Sequence, residues 1–123
     1  MFLGLRTVIY QVSDLVVAKA WYSKALGIEP YFDEPFYVGF NIKGYELGLD
    51  PDASKSEAGK SGVVAYWGVE DATAELERLL ELGATKHTDV RNVGGDIKVA
   101  TVLDPSGNIL GIIENPQFSL ESK

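Results

Sequence analysis

The chain repeats itself, and that repeat constrains its fold more than any other feature. Val12-Ser13-Asp14 precedes a helix-like run ending in Leu26-Gly27, and Val69-Glu70-Asp71 precedes one ending in Leu82-Gly83. The two aspartates lie 57 residues apart. A second rhyme closes each half: Gly44-Tyr45-Glu46-Leu47-Gly48-Leu49 is echoed by Gly107-Asn108-Ile109-Leu110-Gly111-Ile112, 63 residues on. A duplication on this scale makes each half one supersecondary module, and the architecture follows from the module.

Each module opens with a strand, roughly Leu5 to Val12 and Val63 to Val69, rich in the β-branched and aromatic residues that strands favour. Asp14 and Asp71 are placed as N-caps, whose oxygens accept the free amide hydrogens of a first helical turn. Ala18, Trp21, Tyr22, Ala25 and Leu26 then recur at helical spacing and make one buried face, as do Ala72, Leu76, Leu79 and Leu80. Gly27 and Gly83 stand where a helix ends in a left-handed residue. Three short strands follow in each module, in the second about Ala84 to Val90, Ile97 to Leu103 and Asn108 to Glu114. Asp104-Pro105-Ser106-Gly107 forms the last turn, matched in the first half by Asn41-Ile42-Lys43-Gly44. The fold class expected is α+β, with two βαβββ modules in tandem enclosing a cavity between curved mixed sheets. Residues 1–123 form a single domain: module one about 4–50, a polar linker about 51–61, module two about 62–115 and a loose tail 116–123.

Composition removes several functional classes. With no cysteine there is no disulfide framework and no thiolate chemistry, which is compatible with a reducing cytoplasm. No secretory signal and no apolar run of about 18 residues is read, so no membrane partner is expected. The net charge of −7, without a Lys/Arg cluster, is the opposite of a nucleic-acid binder's. Such a surface either attracts a cationic ligand or simply keeps the protein soluble.

Val-x-Asp before each helix, Leu-Gly after it, and Asp-Pro-Ser-Gly-Asn before the last strand together resemble the glyoxalase/bleomycin-resistance/dioxygenase (vicinal oxygen chelate) superfamily, over roughly Leu5 to Asn115. In that family's metalloenzymes, four His, Glu or Gln ligands come from the first and last strands of each module. The resemblance carries those positions to Thr7, Gly48, Val64 and Gly111. A hydroxyl, an isopropyl group and two hydrogens do not supply the imidazole or carboxylate donors that Zn²⁺ or Fe²⁺ requires. No metal and no cofactor is expected, and the family's metal-dependent chemistries are in doubt.

Strand alternation names the lining. Thr7 brings Ile9 and Gln11 to the cavity, Val64 brings Tyr66, Gly48 brings Glu46 and Asp50, and Gly111 brings Ile109 and Ile113. Leu47, Leu49, Leu110 and Ile112 lie on the opposite face. A bulged hairpin pairs Thr101 with Gly111 and Val99 with Ile113. The same register in the first half sets Val38 opposite Gly48, Phe36 opposite Asp50 and Phe40 opposite Glu46. The expected ligand-binding set is therefore Thr7, Ile9, Gln11, Phe36, Val38, Phe40, Glu46, Gly48, Tyr66, Thr101 and Gly111. It is an apolar, aromatic cavity with few polar groups, suited to a small organic molecule or else simply filled.

Glu46 is a general base if the cavity raises its pKa, or a solvated residue at a hairpin tip. Gln11 either orients a ligand or hydrogen-bonds backbone at a strand end. His87, the only histidine, is expected at the surface. The resemblance implies first a metal-free binding protein like the family's drug-sequestering members, acidic homodimers that trap cationic, flat antibiotics. The alternative is an enzyme of the same superfamily (lyase, isomerase or dioxygenase-like) of unknown reaction, and a regulatory module with a vestigial cavity is a further class.

Overall fold

The computed structural model describes residues 1, 3–52, 54, 58–59 and 64–116. The tail beyond residue 116 and much of the linker fall outside them. Two compact units emerge: residues 1–60 with 105–108, and residues 61–104 with 109–123.

The first unit runs β1 (Thr7–Gln11), α1 (Leu15–Leu26), β2 (Phe32–Glu34), β3 (Tyr37–Ile42) and β4 (Tyr45–Asp50), with sheet order β1-β4-β3-β2. The second runs β5 (Ala65–Gly68), α2 (Ala72–Glu81), β6 (Thr85–Asn92), β7 (Lys98–Leu103) and β8 (Ile109–Glu114), with order β5-β8-β7-β6. In both, the first strand pairs parallel with the last, and the remaining pairs are antiparallel. Each unit is thus a βαβββ module, and the repeat in sequence is a repeat in topology. No helix among the described residues is long and apolar enough to cross a membrane.

The helices start and stop as their sequences dictate. Asp14 Oδ1 accepts from the Val17 amide and Asp71 Oδ1 from the Ala74 amide, each at 3.1 Å, satisfying donors that the first turn leaves free. Gly27 ends α1 at φ 71°, a left-handed conformation that costs a residue with a Cβ about 1 kcal/mol or more. Helix α1 buries Ala18, Trp21, Tyr22 and Ala25. Tyr22 stacks on Tyr10 of β1, with ring centroids 6.0 Å apart. Helix α2 buries Ala72, Leu76 and Leu79. On the sheets, Val38, Phe40, Leu47 and Leu49 in the first unit and Ala100, Val102, Leu110 and Ile112 in the second are almost wholly buried.

The β3–β4 hairpin departs from the expected register. Ile42 pairs with Tyr45, leaving a two-residue turn in which Lys43 and Gly44 both have positive φ, 53° and 95°. That is the type I′ geometry, whose twist matches the strands it joins. In the second unit, Leu103 pairs with Ile109 across five residues, and Thr101 does face Gly111. The turns differ, so the register of one half does not transfer to the other. Val38 sits opposite Leu49 and Phe40 opposite Leu47, on the helix-facing side of the sheet. The placement of Val38 and Phe40 in the cavity lining is therefore corrected: both are core. Phe36 is corrected too. It lies in the β2–β3 turn, is 66% exposed, and packs edge-on against Phe32. A one-residue slip exchanges the faces of a strand, and β3 shows that slip relative to its expected pairing.

Candidate functional site

The face of the first sheet turned away from α1 carries the chemistry. Register puts Thr7 beside Glu46, Ile9 beside Gly48 and Gly39 beside Gly48, with Phe32 next in the row. From β3 this face receives Tyr37 and Gly39, the neighbours of the residues that the sequence pointed to. Tyr31, just before β2, joins them, its amide donating to the Gly39 carbonyl at 3.0 Å.

These groups converge on one carboxylate. Thr7 Oγ1 donates to Glu46 Oε1 at 2.6 Å and the Tyr37 hydroxyl donates to the same oxygen at 2.9 Å. The Tyr31 hydroxyl donates to Oε2 at 2.5 Å. Three neutral donors thus hold Glu46, and no Lys or Arg among the described residues makes an ion pair with it.

Two glycines make the arrangement sterically available. A Cβ on Gly48 would stand 1.9 Å from the Tyr37 hydroxyl oxygen and 2.6 Å from Cζ. A Cβ on Gly39 would stand 2.6 Å from Glu46 Oε2 and 3.2 Å from Tyr31 Cε1. The phenol of Tyr37 therefore crosses β4 over bare backbone to reach Glu46, in the space where a side chain at position 48 would project.

The electrostatics follow from this geometry. Burial pushes the Glu46 carboxyl upward, but the hydrogen bonds from Thr7, Tyr31 and Tyr37 together outweigh it and hold the group below the usual carboxylate range. Burial, and then the hydrogen bond to Glu46, push Tyr37 up to about 12. The Tyr31 phenol is raised as well, first by its hydrogen bond to Glu46 and then by desolvation. At neutral pH the cluster is one fixed anion among neutral hydroxyls. A carboxylate held ionised below its ordinary range is a weak general base.

Gln11 lies on the same face but is buried, and its Nε2 donates to the carbonyls of Asp50, at 2.9 Å, and Asp52. It ties the strand end to backbone, the second of its two expected roles. Its own carbonyl accepts from Asn108 Nδ2 at 2.7 Å, and the Ser13 amide donates to Ser106 Oγ at 3.1 Å. The Asp-Pro-Ser-Gly-Asn segment thus clasps the end of β1 as well as turning the chain.

In the second unit, the Tyr66 ring covers Gly111, with Cδ1 2.7 Å from where a Cβ would stand. Thr101, opposite Gly111, is buried and shares hydrogen bonds with His87 Nδ1 at 2.9 Å and Thr88 Oγ1 at 2.6 Å. His87 is exposed, as expected, yet its ring is anchored.

The four positions carried over from metalloenzymes thus hold a hydroxyl committed to Glu46, a glycine under Tyr37, a half-buried valine and a glycine under Tyr66. No group of three or more His, Cys, Asp or Glu side chains that could hold a metal occurs among the described residues. This donor set does not fit a resident metal ion.

The sequence reading missed Tyr31 and Tyr37. Tyr37 was hidden by the register of β3. Its signal was the match of Phe40 to Leu47 and Val38 to Leu49, which a two-residue Lys43-Gly44 turn provides. Tyr31 lies before a strand, where alternation says nothing.

The family model described as Glyoxalase/Bleomycin resistance protein/Dioxygenase superfamily matches residues 4–112. No curated protein matches by sequence. Among solved structures, a glyoxalase-related enzyme from Fulvimarina pelagi superposes with a TM-score of 0.78 at 18% identity, covering 94% of this chain and 90% of that one. A glyoxalase/bleomycin resistance protein from Catenulispora acidiphila gives 0.70 at 26% identity, covering 92% and 100%. A lactoylglutathione lyase from Agrobacterium tumefaciens gives 0.75 at 17% identity, covering 91% and 93%.

Proposed function

The chain belongs to the glyoxalase/bleomycin resistance protein/dioxygenase superfamily, and from that premise we propose that it is a metal-independent binding protein for a small organic cation with an aromatic body. The observation that carries the reading is Glu46: a carboxylate kept ionised and oriented by Thr7, Tyr31 and Tyr37, none of which supplies a positive charge. Its hydrogen-bonding capacity is largely used, but its charge is not neutralised. An ammonium or iminium group completes such a site.

The surroundings support the same ligand. Tyr31 is 63% exposed and Phe32 38%, and Phe32 packs edge-on against Tyr37 at 6.1 Å. Aromatic faces near a carboxylate attract cations, each worth about 0.5–2 kcal/mol according to exposure. The acidic balance of the whole chain adds long-range attraction of the same sign. The donor set at Thr7 and Gly48 argues for recognition without a metal, and the lowered Glu46 argues against catalysis by that residue as a base. The reading also takes the protein to act as a homodimer in the cytoplasm, and light scattering tests the first of these.

The test is a thermal-shift and calorimetry panel of planar cationic aromatics and their neutral isosteres, on the wild type and on Glu46→Gln. A cation at about 100 times its Kd is expected to add about 2.7 kcal/mol of stability. The neutral isosteres should add much less, and Glu46→Gln should remove the discrimination. Equal binding of cations and neutral isosteres, or binding lost on chelator treatment and restored by a divalent metal, would overturn the proposal.

A further inference from the structure

The second unit carries a polar group that the reading above does not use. Strand β6 has an extra residue between its pairs Lys86–Val102 and Thr88–Thr101, so His87 is bulged out of the ladder. In a regular strand His87 and Thr88 would point to opposite faces. Here both reach Thr101 Oγ1, His87 through Nδ1 at 2.9 Å and Thr88 through its hydroxyl at 2.6 Å. Bulges re-aim side chains in this way, and they are over-represented beside functional sites.

The tautomer decides what this group presents outward. Each threonine has one proton. If Thr88 donates to Thr101 and Thr101 donates to Nδ1, the imidazole carries its proton on Nε2 and offers a donor outward. If instead Nδ1 carries a proton, it donates to Thr101 and Thr101 donates to Thr88, and Nε2 is an acceptor in the neutral ring and a donor in the protonated ring that a bound carboxylate favours. The ring is anchored on one nitrogen, and the residue as a whole is exposed.

The neighbours on this face are Tyr66, a residue 44% exposed whose ring rests on Gly111, and Arg91. A second register shift sets Arg91 opposite Val99, two residues along from Thr101 and therefore on the same side of the sheet. Arg91 is exposed, and its side chain makes no ion pair with a described residue. The row Tyr66, Gly111, Thr101, Thr88 crosses all four strands in sheet order β5, β8, β7, β6. It places a stacking surface at one end, a glycine and a buried threonine as floor, and the anchored imidazole of His87 at the other, with Arg91 further along β6 on the same side of the sheet.

We propose that this face is a second ligand subsite, in which a planar carboxylate lies against Tyr66 and is held by His87 and Arg91. The charge preference is opposite to that of the Glu46 cluster, and the proposal stands on different residues. It survives if the organic-cation reading fails, and the converse also holds.

The probe is benzoate, with benzamide as its neutral counterpart, followed by NMR on the full chain. Benzoate is expected to shift the His87 ring and the Thr88 and Thr101 amides, and its ring protons should show nuclear Overhauser effects to Tyr66. Benzamide should bind at least tenfold more weakly, the loss expected for a charge-assisted hydrogen bond. His87→Phe and Arg91→Gln should each weaken benzoate about tenfold. Thr101→Val, which keeps shape and removes the anchor, should weaken it severalfold while leaving the amide spectrum of the rest of the unit in place. Benzoate that leaves these resonances unmoved, that binds no better than benzamide, or that binds His87→Phe and Arg91→Gln as tightly as the wild type, overturns the proposal.

Discussion

Replacing Gly48 by alanine tests the central geometry of the first unit. The new Cβ would stand 1.9 Å from the Tyr37 hydroxyl oxygen. To regain ordinary contact, the oxygen has to retreat by roughly 1.5 Å. The ring can swing that far, but only by giving up its 2.9 Å hydrogen bond to Glu46. A hydrogen bond to a charged group contributes about 1.5–3 kcal/mol. Alanine returns about 0.5–1 kcal/mol by restricting the unfolded backbone, and Glu46 keeps Thr7 and Tyr31 as donors. The net expectation is a loss of about 1–2 kcal/mol, measured by urea unfolding at unchanged m-value. The same change frees Tyr37, so in an alkaline ultraviolet titration its ionisation should move from about 12 toward the ordinary 10.0. Tyr37→Phe removes the same hydrogen bond, so Gly48→Ala should cost about 1.5–3 kcal/mol less in that background than in the wild type. Stability within about 0.5 kcal/mol of wild type, together with a tyrosine still titrating near 12, would refute the claim that Gly48 exists to admit Tyr37.

Other outcomes follow from the same contacts. Gly111→Ala brings a Cβ to 2.7 Å from the Ala65 carbonyl oxygen, which is backbone and cannot swing aside, so it should cost about 2–3 kcal/mol, whereas Gly68→Ala meets nothing within 4 Å and should fall within about 0.5 kcal/mol of wild type in the same unfolding assay. Glu46 has a lowered pKa in the folded state, so its contribution to stability is present above the ordinary carboxylate value of 4.5 and is lost as pH falls through the lowered one. The difference between wild type and Glu46→Gln in acid unfolding should shrink over that range. Asp14→Ala and Asp71→Ala each remove an N-cap and should each lower stability by about 1 kcal/mol in chemical denaturation.

What the sequence makes legible here is whatever depends on local chemistry repeated at fixed spacing. Asp14 and Asp71 cap their helices because an N-cap needs only one oxygen three residues upstream of an amide. The helix-facing residues follow from helical spacing and from the strand alternation that puts Leu47 with Leu49, and Leu110 with Ile112, on one face. The Thr101–Gly111 pairing was also readable. The first-half register was not, because it was carried over from a five-residue loop onto a hairpin that closes in two residues, and that difference removed Tyr37 from view while placing Val38 and Phe40 on the wrong side. Glu46 was visible as a carboxylate, but its character was not. Whether such a group is raised or lowered depends on donors from Thr7, Tyr31 and Tyr37, which lie 39, 15 and 9 residues away and meet only in the folded sheet.

The short turn at Lys43-Gly44 has a consequence for how a protein of this kind changes its ligand. An insertion of one amino acid there, if the hairpin still closed in two residues, would shift β3 by one position against β4, presenting Val38 and Phe40 where Tyr37 and Gly39 now stand, and would turn a hydrogen-bonding surface greasy without altering a single letter within either strand. A duplicated gene that drifts in the length of its connectors therefore has a route to new selectivity that substitution counts do not record. Aligning such relatives by strand letters alone will mistake that route for divergence.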